Sequence, residues 1–385
     1  MGSAPRKPLT VIQMLPALDV GGVERGTVDV ARYLVEQGHR SIVISAGGRL
    51  REELVAAGSE HLCWDVGAKR PRSLLWIPRV RALLKERRPD ILHLRSRVPA
   101  WIGYWAWRAL APALRPALVT TVHGFYSVSR YSAVMTRGER VIAISECIRD
   151  YALHNYPRLE PWRIRVIPRG VDPQHYPYGY QPPAAWLERW YREFPQTRGR
   201  FIITLPGRLT RLKGHEEFIA IIALLKQRGV PVHGLLPGGT HPRKRAYEAE
   251  LRRHVHSAGL GGDITFLGQR SDLREVMALS DVVLSLSVEP EAFGRTTIEA
   301  LSLGRPTAGY DHGGVAEQLR TLLPEGRVPV GDRQGMVDLL MGWRDTPPAV
   351  PREHPYTLAH MLASTLGVYE EAQAARAAAQ HDEHE

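Results

Sequence analysis

The chain has 385 residues, of which 44% are hydrophobic and 24% charged, a globular composition with enough length for two α/β domains. No apolar run approaches the ~20 residues of a membrane-spanning helix, and we expect no signal peptide. The two distant cysteines indicate neither a disulfide framework nor a zinc site, so we expect a cytoplasmic protein. The net charge is +11, and residues 1–180 hold 27 Lys and Arg against 15 Asp and Glu, which indicates a polyanionic partner such as nucleic acid, an acidic membrane surface or a phosphorylated acceptor.

The first half of the chain alternates strand and helix patterns. Residues 9–15 predict a buried strand, Gly21 and Gly22 the turn into a helix that extends to about residue 37, and residues 41–45 the next strand. Further strands are predicted at 89–94, 117–122 and 140–144. This alternation predicts a parallel, doubly wound sheet, whose ligands bind beyond the carboxyl ends of the strands.

Two features of this half lie at such strand ends. The pair Gly21 and Gly22 permits φ values that other residues avoid and lets a phosphate or sugar approach the helix N-terminus, although a plain strand-to-helix turn also explains it. His123 follows the strand 117–122. A lone histidine there is either a ligand contact or an ordinary packed or exposed side chain.

A basic segment precedes an aromatic one. Residues 69–88 place Lys and Arg on a predicted helix, and residues 101–108 contain four large aromatic side chains. Helical spacing puts Trp101, Trp105 and Arg108 on one side. This pattern is compatible with docking on an anionic membrane surface, where indole rings lie at headgroup depth, and equally with core tryptophans beside solvated arginines.

The tract 173–183 is rich in Pro and Tyr and predicts an irregular segment that links two domains. Strands of a second sheet are predicted at 200–205, 232–236, 264–267 and 281–287. The loop 206–215 precedes a helix over 216–228 and contains Arg208 and Lys213. Both cations could converge on one pyrophosphate, although a basic loop of this kind is more often simply exposed.

A second loop and helix follow the strand 281–287. The segment 289–306 predicts a loop with Gly294 and a helix that ends near Gly304. Glu291 lies in the loop and Glu299 about two helical turns later, and this spacing of eight residues would place the two carboxylates along one edge of the helix. There they could accept hydrogen bonds from two separated diols. The alternative is a pair of ordinary surface acids near a helix start.

Several collinear motifs resemble one enzyme family. Glu291-Ala292-Phe293-Gly294, Glu299-Ala300 and Gly304-Arg305-Pro306 resemble the motif with two glutamates eight apart in retaining nucleotide-sugar glycosyltransferases, in particular glycosyltransferase family 4. Other matches are the segments 21–26, 121–124, 166–172, 207–214 and 313–317. The chain departs from the family pattern at Ala292 and Arg169, where Gly and Asn are usual, and at His312.

The resemblance implies the architecture called GT-B, with two Rossmann-like α/β domains of doubly wound parallel sheet. The expected domains are an acceptor-binding domain over 1–178, joined by a C-terminal helix over 355–377, and a nucleotide-sugar-binding domain over 184–350, with a disordered tail over 378–385. It also implies retaining, metal-independent transfer of a hexose, with no cofactor beside the nucleotide-sugar donor. A UDP sugar is favoured over a GDP sugar as the donor. The preferred acceptor is a cell-envelope glycan or a lipid-linked acceptor such as lipopolysaccharide. The enzyme would then bind peripherally to the inner face of the cytoplasmic membrane.

The resemblance also implies roles for particular residues. The predicted catalytic residues are Arg208 and Lys213, which neutralise the departing diphosphate, Glu291 beside the sugar, and His123. The predicted donor-binding residues are Gly21, Gly22, Gly207, Leu267, Arg270, Phe293, Gly294, Arg295, Thr296 and Glu299. Among them Glu299 accepts from the ribose hydroxyls, and the segment from Leu267 to Arg270 surrounds the nucleobase mostly with main-chain atoms.

The sequence is also compatible with other functions. One is transfer to a small soluble acceptor, and another is a non-catalytic partner that only binds a nucleotide sugar. A phosphorylase or sugar-nucleotide epimerase would share the architecture. Nucleic-acid binding would explain the basic half, but the chain carries no recognition motif for it, and we predict no nucleic-acid partner.

Overall fold

The structure, a computed structural model, describes residues 7–19, 21–240 and 245–382. It divides into two compact units. Unit 1 comprises Met1–Pro168 with Ala359–Glu385, and unit 2 comprises Arg169–Leu358. Each unit is built around a parallel sheet of its own, as the alternating strand and helix patterns predicted.

Unit 1 contains a seven-stranded sheet of order β3-β2-β1-β4-β5-β6-β7. Its strands are β1 Thr10–Met14, β2 Arg40–Ser45, β3 Glu60–Cys63, β4 Ile91–Leu94, β5 Ala117–Val122, β6 Arg140–Ala143 and β7 Ile164–Val166. Its helices are α1 Gly22–Glu36, α2 Arg51–Ala56, α3 Trp76–Arg87, α4 Arg97–Arg108 and α5 Glu146–Asn155. The strand order reverses between β1 and β4, which in doubly wound sheets opens a crevice at the carboxyl ends of those two strands.

Unit 2 contains a six-stranded sheet of order β10-β9-β8-β11-β12-β13, so its order reverses between β8 and β11. Its strands are β8 Phe201–Thr204, β9 Val232–Pro237, β10 Ile264–Gly268, β11 Val282–Ser285, β12 Thr307–Tyr310 and β13 Arg327–Val328. Its helices are α6 Ala184–Glu193, α7 His215–Gln227, α8 Arg245–Ser257, α9 Leu273–Leu279, α10 Arg295–Ser302, α11 Gly313–Leu322 and α12 Arg333–Asp345. All pairings in both sheets are parallel.

The last helix, α13 Leu358–Asp382, packs on unit 1. The hydroxyl of Tyr369 lies 2.7 Å from Nδ1 of His93 on β4, and both side chains are buried. Arg140 donates to Glu371 at 2.9 Å. The expectation of a disordered tail from residue 378 is wrong for 378–382, which the helix includes. Residues 383–385 lie outside the described residues.

The tract 173–183 is irregular, as expected, but it packs on unit 2. Gly179 donates its amide to the Leu303 carbonyl at 3.1 Å, and the Tyr178 hydroxyl donates to the Val350 carbonyl at 3.0 Å. Tyr180 donates to Glu275 at 2.9 Å. Tyrosine side chains bury their rings readily when their hydroxyls find partners. The tract therefore belongs to unit 2, and the chain passes from one unit to the other at Pro168 and again at Leu358.

Candidate active site

The candidate site lies at the carboxyl ends of two neighbouring strands of unit 2. Strands β8 and β11 pair side by side at the point where the strand order reverses. The loop after β8 contains Arg208 and Lys213, and the loop after β11 contains Glu291. Although 78 residues separate Lys213 from Glu291 in the sequence, the parallel sheet delivers both loops to one edge.

The first loop approaches the second as closely as a glycine permits. Gly214 has a φ of +72°, and a Cβ atom there would lie 1.9 Å from the carbonyl oxygen of Leu286. Any side chain at this position would therefore push the two loops apart. Gly214 directly follows Lys213, so this contact determines where the lysine stands relative to the β11 loop.

Lys213 and Glu291 form an ion pair across the two loops. The Nζ atom of Lys213 lies 2.7 Å from Oε1 of Glu291, and the two side chains are 28% and 21% exposed. The Ser287 hydroxyl donates to the same carboxylate, and Nε2 of His312 donates to the Ser287 carbonyl at 2.6 Å. The carboxylate of Glu291 is therefore positioned by Ser287, which follows β11, and Ser287 is in turn held by His312, which follows β12.

The backbone of Glu291 is held by the start of α11. The Gly314 amide donates to the Glu291 carbonyl at 2.8 Å. Gly313 has a φ of +61°, and a Cβ atom there would lie 2.6 Å from that carbonyl oxygen. The two glycines of the segment 313–317 thus allow the helix N-terminus to approach the loop that carries Glu291.

A cavity of about 770 Å³ opens between these loops, and Arg208, Lys213, Ser287 and Glu291 line it. Its size is typical of a small-molecule site. Arg208 is exposed. Arg211 also lines the cavity, but Glu250 and Glu216 neutralise it at 2.6 Å and 3.1 Å. The cavity therefore offers two cations, Arg208 and Lys213, and two carboxylates, Glu289 and Glu291, that could contact one elongated ligand.

Glu299 does not stand where the eight-residue spacing suggested. Helix α10 begins at Arg295, after Gly294 with a φ of +83°, so Glu291 lies four residues outside the helix and the two carboxylates do not share a helix edge. Glu299 is half-buried, and burial raises the pKa of its carboxyl to about 7, while the charge of Arg295 opposes part of the rise. Glu299 is not among the residues that line the 770 Å³ cavity.

The other predicted donor-binding residues of unit 2 are divided between the loops and the core. Phe293 is buried and packs edge-to-face on Tyr356 with ring centroids 6.1 Å apart, while Arg295 and Thr296 occupy the first turn of α10. Gly207 lies in the β8 loop, where its Cβ position would be 3.5 Å from Lys213.

Leu267 and Arg270 lie at the end of β10. Leu267 packs against a core cluster that includes Trp190. Arg270 donates to both carboxylate oxygens of Asp272, at 2.8 Å and 2.7 Å. The side chain of Arg270 is therefore committed to an ion pair within the protein.

In unit 1 the predicted residues lie at the carboxyl edge of the sheet. Helix α1 begins at Gly22, and Gly21 has a φ of 178°, an extended conformation open to any residue. The expectation that these glycines supply unusual φ values is therefore wrong. His123 follows β5, is half-buried, and donates its amide to the Tyr126 hydroxyl at 3.2 Å.

Sequence reasoning missed Ser287 and His312 as parts of the site. No periodic pattern marks a serine or a histidine in a loop. The available signals were their places at the ends of β11 and β12 and the departure of His312 from the family pattern. Among the described residues, no group of three or more His, Cys, Asp or Glu side chains could hold a metal ion. No helix in the described part of the chain is long and apolar enough to cross a membrane.

Two parallel α/β units, with a cavity of mixed charge at the strand-order reversal of the second, fit a glycosyltransferase of the GT-B architecture. Comparison with known proteins agrees. The model named Glycosyltransferase Family 4 matches residues 20–175, and the model named Glycosyl transferases group 1 matches residues 188–326. The chain therefore belongs to glycosyltransferase family 4, as its motifs suggested.

Individual relatives and one solved structure support this assignment. The chain is 24% identical to 2-deoxystreptamine N-acetyl-D-glucosaminyltransferase of Streptomyces fradiae, over 81% of this chain and 80% of the relative. It is 32% identical to the lipopolysaccharide core biosynthesis mannosyltransferase LpsB of Rhizobium meliloti, over 37% of this chain and 41% of the relative. A glycosyltransferase structure from Rickettsia africae superposes with a TM-score of 0.83 and 29% identity, covering 95% of this chain and 99% of the other.

Proposed function

We propose that this glycosyltransferase moves a hexose from a nucleoside-diphosphate sugar to a cell-envelope glycan or lipid-linked acceptor such as lipopolysaccharide, with retention of the anomeric configuration. The observation that carries the proposal is the shared cavity of Arg208, Lys213 and Glu291. A diphosphate needs cations and a sugar needs hydrogen-bond acceptors, and this cavity presents both.

In the proposed mechanism the two cations act on the leaving group. Negative charge grows on the β-phosphate as the glycosidic bond breaks, and fixed positive charges that face it stabilise the transition state more than the ground state. Arg208 would contact the diphosphate through its planar fork and Lys213 as a point charge. We propose that they act without a divalent cation.

The sugar and the ribose would contact the acidic residues. Glu291 would accept hydrogen bonds from sugar hydroxyls once Lys213 turns to the diphosphate, and Glu299 would accept from the ribose. The amides of Phe293 and Gly294 precede α10, where the positive end of the helix dipole favours polar and anionic ligands. His123 would stand beside the donor sugar, and we propose front-face transfer in preference to a glycosyl-enzyme intermediate.

Two observations support an envelope acceptor. Residues 1–180 carry the whole positive surplus of the chain, which favours a phosphorylated or membrane-associated partner. The similarity to LpsB, whose name specifies lipopolysaccharide core biosynthesis, agrees with it. We propose that the enzyme is cytoplasmic and docks on the inner membrane face through the exposed basic residues of α3 and the aromatic residues of α4.

A small soluble acceptor is the second candidate. One relative that matches over 81% of the chain is named for transfer to 2-deoxystreptamine. The two candidates differ in the assay. A soluble aminocyclitol would be glycosylated without vesicles, whereas an envelope acceptor requires lipid or saccharide extracted from membranes.

The donor is identified first. Thermal unfolding is followed with a panel of nucleotide sugars, UDP sugars ahead of GDP sugars, because a ligand that binds the folded state raises the unfolding temperature. The stabilising donor is then incubated with each acceptor class, and the linkage of the product is determined by NMR. Donor binding with no transfer to any acceptor, and no hydrolysis, would favour a non-catalytic binding partner.

Membrane docking has a separate test. We expect the protein to co-sediment with liposomes that contain anionic lipid at low salt, and to be released as salt rises, because the attraction is electrostatic. Failure to sediment at low salt would remove the membrane from the proposal and leave sugar transfer untouched.

A further inference from the structure

A second cavity lies in unit 1, away from the predicted catalytic edge. It has a volume of about 1030 Å³ and is formed by α4 and by residues from 130–137 and 155–163. Arg137 and Arg163 precede β6 and β7, so this cavity is near the amino ends of the strands. His123, in contrast, follows the carboxyl end of β5. No role predicted for the sugar-transfer site uses the cavity.

Arginines dominate the lining of this cavity, which we call the arginine pocket. It is lined by five of them and by no Asp or Glu, the five being Arg108, Arg130, Arg137, Arg158 and Arg163. Within residues 7–19, 21–240 and 245–382, none of the five forms an ion pair with a carboxylate. In the neighbouring cavity of unit 1, Arg140 and Arg376 are paired with Glu371 and Glu139.

Two of these guanidinium groups are already held in place. Arg137 lies 5.0 Å from the ring centre of Tyr104 and 5.4 Å from that of Trp101, and donates to the Tyr104 hydroxyl at 3.0 Å. Arg163 donates to the Gly138 carbonyl. Burial removes the Arg163 guanidinium partly from water and lowers its pKa, while the charges of Glu160 and Glu139 oppose part of that change. Fixed, poorly hydrated guanidinium groups lose little entropy when they bind an anion.

We propose that the arginine pocket binds a phosphate monoester, carried either by a sugar or by a lipid headgroup. The planar guanidinium fork matches phosphate oxygens in pairs. Five such groups, none of them in an ion pair within the described residues, exceed the charge of a single carboxylate ligand. The pocket is concave and of small-molecule size, which favours a compact ligand over a nucleic-acid duplex. The inference does not depend on the sugar-transfer proposal.

The test uses the full chain and two kinds of probe. Glucose 6-phosphate is titrated by calorimetry at about 0.1 M salt, with glucose as its uncharged match. Co-sedimentation is measured with phosphatidylcholine vesicles that contain or lack phosphatidic acid. The pocket variant is Arg130→Gln with Arg158→Gln, since both side chains are exposed. The control variant is Arg253→Gln with Arg320→Gln, which removes the same charge from exposed positions of unit 2.

The expected result is a selective loss in the pocket variant. Each charge-assisted contact contributes roughly tenfold to affinity, so binding should weaken about a hundredfold, while the control stays within about twofold. Loss confined to glucose 6-phosphate identifies a soluble ligand, and loss confined to phosphatidic acid vesicles identifies a lipid headgroup. No binding of either phosphate probe, or equal binding by wild type and pocket variant, overturns the proposal.

Discussion

Replacing Lys213 by methionine gives the sharpest test of the candidate active site. Methionine keeps the length of the side chain and removes its charge. In the structure the ammonium group lies 2.7 Å from Glu291 and lines the same cavity as Arg208. If the lysine stabilises a departing diphosphate, its charge matters far more for turnover than for folding.

The effect on stability is expected to be small. An exposed ion pair contributes at most about 1 kcal/mol, and breaking a fully buried one costs about 3–5 kcal/mol. Lys213 and Glu291 are 28% and 21% exposed, and the Ser287 hydroxyl still donates to the carboxylate in the variant. We therefore expect a loss of about 1 kcal/mol, or about 2–4 °C in unfolding temperature.

The effect on turnover is expected to be large. Removal of one preorganised donor that faces developing charge costs about 10²–10³ in kcat. The assay follows release of the nucleoside diphosphate from the donor that stabilises the protein, with and without acceptor. A kcat within about threefold of wild type would refute the role of Lys213 as the leaving-group cation.

Lys226→Met is the matched control. Its ammonium group also forms an ion pair, 2.6 Å from Asp263, but at the far end of α7 from Lys213. Both changes remove one paired lysine from unit 2. If Lys226→Met lowers kcat as much as Lys213→Met, the loss reflects general damage to the unit, and the leaving-group argument fails.

Two further predictions concern Glu299 and the loop that carries Glu291. Folding raises the pKa of Glu299 from 4.5 to about 7, so the folded protein retains a proton that the unfolded chain loses, and the free energy of unfolding should fall as pH rises between these values. In urea titrations the Glu299→Gln variant should lack this pH-dependent fall in the free energy of unfolding. The Kd of the donor should decrease from about pH 6 to pH 8 in the wild type but not in the variant. Identical pH profiles of wild type and variant would contradict the assignment. Gly313→Ala should lower the free energy of unfolding by about 1–3 kcal/mol more than Gly331→Ala, and it should also weaken donor binding. Both positions have positive φ, but only a Cβ atom at Gly313 would contact the Glu291 carbonyl. Equal losses of stability in the two variants would show that this contact does not matter.

The sequence allowed most strands to be predicted, because buried parallel strands are short runs of apolar and β-branched residues. The strand 117–122 was predicted with the bounds that the structure gives. Four strands escaped, β3, β7, β12 and β13. β7 and β13 have only three and two residues. β3 and β12 have four but contain no Val or Ile, so neither shows the apolar, β-branched run that marked the predicted strands.

The candidate site was less accessible to sequence reasoning. The sequence indicated that Glu291 lies in the loop and Glu299 on the helix, but the predicted alignment of both carboxylates along one helix edge fails because α10 begins only after Gly294. The approach of Lys213 to Glu291 depends on glycines 214 and 313, whose close contacts are with distant carbonyl groups. Such contacts are tertiary, so motif resemblance indicated the residues while local pattern gave no distance between them.

The ion pair of Lys213 and Glu291 bears on how the proposed donor would enter. Removing an unpaired charge from water costs free energy. A site that needs both a cation and a carboxylate lowers this cost in its ligand-free state when the two groups pair with each other. A nucleotide sugar carries both complementary groups, a diphosphate for the lysine and hydroxyls for the carboxylate. Its binding would exchange one internal ion pair for two contacts, each with the correct partner. A free nucleoside diphosphate satisfies only the lysine and leaves Glu291 without its cation, and this difference favours the intact donor over its product.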